Sequence, residues 1–142
     1  MKTLWIVRGV PGSGKTTWAA AKAAELGAKH LEADQYFARS GTYVFDFKKL
    51  PQAHNWCWHE TFAGFKNLDN VVVSNTFTMQ WELDRYVGEA LRRSYDVRIV
   101  QMTKEYGSIH NVPEHKMVVM RERFVDNSKL VYLSRYVKME KV

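Results

Sequence analysis

Two observations predict that this 142-residue chain folds as an α/β protein, a three-layer α/β/α sandwich on a parallel sheet. Apolar runs at 3–8 and 71–76 have the continuous character of strands buried on both faces. Helix-patterned segments of about 10 to 15 residues separate the strand-like ones, which is the rhythm of strand–helix–strand units.

In chain order, residues 3–8 form the first strand, which runs into Gly9-Val10-Pro11-Gly12-Ser13-Gly14-Lys15-Thr16-Thr17. A helix leaves at 16–26 and stops at Gly27, a C-terminal glycine. Gly9, Gly14, Lys15 and Thr16 fit the phosphate-loop spacing Gly, any four, Gly, Lys, Ser/Thr, with the required strand before and helix after. Glycines let the backbone aim successive N–H groups at phosphate oxygens, and the following helix adds its positive end. Gly9, Pro11, Gly12, Ser13, Gly14, Lys15, Thr16 and Thr17 are therefore the expected ATP contacts. Lys15 supplies a movable cation and the Thr16 hydroxyl a magnesium ligand. The alternative reading is a glycine turn that holds no ligand.

Residues 28–33 read as a short second strand, which puts Asp34 at the carboxyl end of the sheet, where open α/β sheets bind ligands. The stretch 36–50 is aromatic and aperiodic, and reads as a loop or a lid-like excursion. A helix is expected over 51–67, with Trp58, Phe62 and Phe65 on one buried face; base stacking is their other possible use. His54 and His59 lack companions at metal-ligand spacing. Residues 71–76 form the next strand, 79–94 an amphipathic helix, and 96–102 another strand. A helix capped by Asn111, with Glu114 completing a capping box, carries Met117, Met120 and Phe124 inward and leaves Arg121 and Arg123 for solvent or phosphate. The tail begins with a strand-like stretch, 130–133.

Composition narrows the function classes. A chain 46% hydrophobic with no apolar run of bilayer length is expected to be a single soluble, cytoplasmic domain, 1–142, without a membrane partner. The only cysteine, Cys57, cannot form an internal disulfide and reads as a buried small residue. The net charge of +6 favours an anionic partner. Much of the excess lies from Lys116 onward, where Lys116, Arg121, Arg123, Lys129, Arg135, Lys138 and Lys141 face only Glu122, Asp126 and Glu140. A nucleic-acid surface and a solvated face both explain it.

With these motifs assembled, the chain resembles the polynucleotide 5′-kinase-like branch of the P-loop kinases. The resemblance covers about residues 3–125 and is carried by the loop at 9–19, Ala-Asp-Gln-Tyr-Phe at 33–37, Ala-His-Asn-Trp-Cys at 53–57, Val-Val-Val-Ser-Asn-Thr at 71–76 with Trp81-Glu82, and His-Asn-Val-Pro at 110–113 leading to Met120 and Arg123-Phe124. It implies a parallel P-loop kinase sheet with a small helical lid, transfer of the ATP γ-phosphate with Mg2+ to a nucleic-acid 5′-OH or a small-molecule hydroxyl, and Asp34 as general base. Helix capping or a turn is the other role for Asp34. Three departures stand out: Ser74 and Asn75 are neutral where the family often has a magnesium-orienting acid, Phe37 replaces an arginine that holds the acceptor phosphate, and no lid arginine occurs around 107–108. Arg121 or Arg123 would have to take that cation's catalytic place; loss without replacement implies weak activity or a module that only binds ATP.

Overall fold

The computed structural model describes residues 2–107 and 112–142. Its strands are β1 (Thr3–Arg8), β2 (Lys29–Leu31), β3 (Asn70–Asn75), β4 (Asp96–Gln101) and β5 (Val137–Lys141). They form one parallel sheet in the order β2-β3-β1-β4-β5. The helices are α1 (Lys15–Leu26), α2 (Leu50–Asn67), α3 (Gln80–Arg92) and α4 (Glu114–Arg123).

Alternation along β1 explains the layers. Leu4 and Ile6 join Val71, Val73, Val97 and Ile99 in a core sealed by α2 and α3, whereas Val7, Val72 and Val100 pack with Ala19 and Ala23 of α1 on the opposite face. Because β1 lies between β3 and β4, chain connections diverge at its carboxyl end and leave a crevice there. The three-layer sandwich is thus the observed fold.

Arg8, the last residue of β1, is fully buried. Its Nε and Nη2 donate to the Phe77 carbonyl at 3.0 and 2.7 Å, Nη2 also to the Thr78 carbonyl at 3.3 Å, and Nη1 to Asn127 Oδ1 at 2.8 Å. The guanidinium also sits 4.1 Å from the centre of the Phe124 ring. Asn127 in turn donates through Nδ2 to the carbonyls of Ile99 and Glu140, so one side chain stitches β4, β5 and the root of the loop together.

The structure corrects several expectations. The buried stripe of α2 is Ala53, Cys57, Thr61, Gly64 and Phe65; Trp58 and Phe62 are half-buried beneath the guanidinium groups of Arg85 and Arg93. Within 36–50 lie part of a 3-10 helix (Ala33–Ala38) and a second 3-10 turn (Phe47–Lys49). Residues 130–133 are not a strand: Leu130 is buried, but Val131 and Leu133 point outward, and β5 begins only at Val137. α4 starts at Glu114 after Pro113, and Asn111 lies outside the described residues. No helix among the described residues is long and apolar enough to cross a membrane.

Candidate nucleotide and phosphoryl-transfer site

The loop between β1 and α1 has the shape its glycines allow. Gly12 and Gly14 adopt φ of 84° and 82°, conformations that a side chain makes costly. At Gly9 the constraint is space, since a Cβ there would lie 2.3 Å from Ser13 Oγ. The turn is closed by Ser13 N–H donating to the Val10 carbonyl, and is strapped from outside by Tyr106 N–H donating to the Gly12 carbonyl at 2.7 Å. Lys15 opens α1, whose N-cap Gly14 offers no side-chain cap, so its first-turn N–H groups have no helical partner.

Burial lowers the Lys15 pKa, with Glu32 and Asp34 opposing the shift. Thr16 Oγ1 donates to Glu32 Oε2 at 2.8 Å, and Ser74 Oγ donates to the same oxygen at 3.2 Å. Nε2 of His30 lies 2.7 Å from Ser74 Oγ. Glu32 and Asp34 are brought here because Asn75 Oδ1 accepts the Ala33 N–H at 2.9 Å, fastening the chain beyond β2 to the end of β3. Asp34 is exposed in the first turn of the 3-10 helix, where Tyr43 Oη donates to its Oδ1 at 2.7 Å. A hydroxyl and a carboxylate on oxygen donors fit a hard cation such as Mg2+, which is usually completed by substrate phosphates.

A cavity of about 660 Å3 unites these groups, within the range of small-molecule sites. Lys15, Thr16, Glu32 and Asp34 line it together with an apolar wall of Phe45, Phe47 and Leu50. Pro11, Gly12, Gly14 and Thr17 also line it, while Ser13 is buried behind the loop. A second cavity of about 630 Å3 shares His54, Asn75, Thr76 and Met120 with the first and adds Trp81, Arg85 and Arg123.

The expected lid cations are placed differently from one another. Arg123 lines the second cavity and pairs with Glu82 at 3.0 Å, whereas Arg121 is held by Glu105 and Glu114 and lines neither cavity. The α4 cation that lines the first cavity is Lys116. Phe37 is buried against Tyr36, Tyr43 and Phe45, and Arg39 packs on the Tyr36 ring, so neither side chain lines either cavity. Residue 108, in the expected lid region, lies outside the described residues. Glu32 and Lys116 were not singled out as site residues by sequence: the partners of Glu32 are 16 and 42 residues away, and Lys116 reads simply as one of many surface cations.

Residues 4–105 match the family model described as an AAA domain. The chain belongs to this family. Among curated proteins, this AAA-domain chain is similar to human NEDD4-binding protein 2, with 30% identity over 153 residues covering 98% of the chain but only 9% of that protein. Its fold is similar to a gluconokinase from Sinorhizobium meliloti, with TM-score 0.65, 18% identity, and 99% of this chain and 82% of that chain covered. It is also similar to a chain of the Pnkp1/Rnl/Hen1 RNA repair complex, with TM-score 0.57, 18% identity, and 93% and 40% covered. The AAA-domain chain therefore has a P-loop kinase-like fold.

Proposed function

We propose that the chain is an ATP-dependent kinase that transfers the γ-phosphate to a hydroxyl, with the 5′-OH of RNA or DNA as the favoured acceptor. The carrying observation is one cavity lined together by Lys15, Thr16 and Asp34. Phosphoryl transfer is mainly positioning and charge neutralisation, so the arrangement needs few groups. Lys15 binds the β- and γ-phosphates, and the loop orients the chain of phosphates along the start of α1. Asp34, aligned by the Tyr43 hydroxyl, accepts the acceptor proton. Lys116 and Arg123 offer positive charge from the lid side. A magnesium ion held at Thr16 would supply further charge neutralisation when bound.

The adjoining cavity favours a polynucleotide, because exposed Trp81 offers a stacking face and Arg85 and Arg123 offer phosphate contacts. The resemblance to a chain of an RNA repair complex agrees with that choice. The apolar wall of Phe45, Phe47 and Leu50, with Phe37 in place of an acceptor-holding arginine, favours the second reading, a kinase for a nucleoside or other small molecule. Incubation with γ-labelled ATP, Mg2+ and a panel of 5′-OH oligonucleotides, nucleosides and sugars separates the two. Label on oligonucleotides supports the first reading, label on small molecules alone the second, and no label on any acceptor would overturn kinase activity.

A further inference from the structure

The Thr16–Glu32–Ser74 arrangement carries a more specific assignment, which rests on the nucleotide-binding reading above. A threonine hydroxyl has one proton and two lone pairs. In the structure its proton goes to Glu32 Oε2, which leaves the oxygen lone pairs able to face a cation. The same carboxylate oxygen takes the Ser74 proton, and Ser74 is braced by His30, so Glu32 is held from α1 and from β3. Charge-assisted bonds of this kind fix both partners. Glu32 also lines the cavity beside Lys15, close to where the phosphates must lie.

We propose that Glu32 is the magnesium-positioning carboxylate of this protein: it fixes the Thr16 hydroxyl with its oxygen toward the ion and supplies the negative charge that neutral Ser74 and Asn75 do not. The position is defined by the shared oxygen, 3.2 Å from Ser74 Oγ, so a carboxylate carried at 74 on β3 would reach nearly the same place. Partners that hold a metal ligand in this way are worth about 10–100-fold in metal affinity.

The test compares the affinity of a fluorescent ADP analogue in saturating Mg2+ with its affinity in EDTA, and repeats the titration with Mn2+ followed by its electron spin resonance signal. The ratio of the two nucleotide affinities isolates the metal from any general effect on the loop. Glu32→Gln keeps the shape and an oxygen acceptor but loses the charge, and should lower that ratio about 10–100-fold and weaken Mn2+ uptake in parallel. Glu32→Gln combined with Ser74→Asp should recover most of the loss. An unchanged ratio in Glu32→Gln overturns the assignment. A fall that Ser74→Asp does not recover points to damage at the end of β2 and overturns it as well. Absence of nucleotide affinity in the unsubstituted protein, with and without metal, would instead sink the phosphate-loop reading itself.

Discussion

Replacing Arg8 tests whether a buried cation anchors the root of the phosphate loop. Arg8→Met keeps an unbranched, apolar side chain but removes every donor. The Thr78 carbonyl would retain the Val125 N–H, whereas the Phe77 carbonyl and Asn127 Oδ1 would each lose their Arg8 donors. Two buried acceptors at about 1–3 kcal/mol each cost roughly 2–6 kcal/mol. The guanidinium's own desolvation works the other way, since burial lowers its pKa to about 10, still charged at pH 7; Tyr132, Asp126 and Glu82 oppose that shift. A net loss of about 3 kcal/mol follows, which for a chain of this length lowers Tm by roughly 10 °C. Arg8→Lys should recover little, because a single ammonium cannot span the Phe77 carbonyl and Asn127 as the planar fork does. Urea unfolding followed by fluorescence measures the loss, with the slope against denaturant unchanged if only the folded state is affected. A loss below about 1 kcal/mol would refute the reasoning, as would complete additivity of Arg8→Met with Asn127→Ala, because residues in one network should couple by about 0.5–3 kcal/mol.

Lys15→Ala should abolish transfer and weaken ATP binding while leaving thermal stability nearly unchanged, as read by labelled-phosphate transfer and calorimetry. Since burial lowers the Lys15 pKa below the ordinary 10.5, and only the protonated amine holds phosphate, nucleotide affinity should fall as pH rises through a value below 10.5; in Lys15→Arg the fall should move to higher pH. Asp34→Asn should leave ATP affinity largely intact and slow transfer by about a hundredfold or more, whereas a mere capping role predicts nearly unchanged transfer. Fluorescence anisotropy of a 5′-OH oligonucleotide should show affinity falling steeply with salt, and Arg123→Ala should reduce that slope by about one. Arg121→Ala should change it less, because Arg121 is already held by two glutamates.

The central strands and α1 were legible because their signals are local: continuous apolar runs, a glycine spacing and a terminal glycine. β5 was not, because Val137-Lys138-Met139-Glu140-Lys141 is an edge strand with charged residues on its exposed side, so it lacks the apolar run that marked β1 and β3. Leu130 and Val131 looked like strand residues, yet only Leu130 reaches the core, and the chain there is fixed by Val131 N–H donating to Gln80 Oε1 instead of by a neighbouring strand. On α2 the large aromatics misled the choice of face. Cys57, Thr61 and Gly64 are small enough to let the helix approach β3, and the rings of Trp58 and Phe62 sit at the rim. At the site, Lys15, Thr16 and Asp34 could be found from motif context, but the Glu32 contacts depend on sheet order, which joins β2 to β3 before β1. No spacing along the chain encodes that adjacency.

The unequal anchoring of β1 and β2 divides the cavity mechanically. The phosphate loop grows from the central strand, hydrogen-bonded on both sides, whereas Glu32 and Asp34 follow a three-residue strand at the sheet edge that is paired on one side only. Local opening free energies are lowest where pairing is sparse and exposed. Amide hydrogen exchange should therefore protect the end of β1 far more than β2. Such a difference would let the Asp34 side adjust to what enters the cavity while the phosphate loop stays set, with the Thr16–Glu32 bond as the seam between the two.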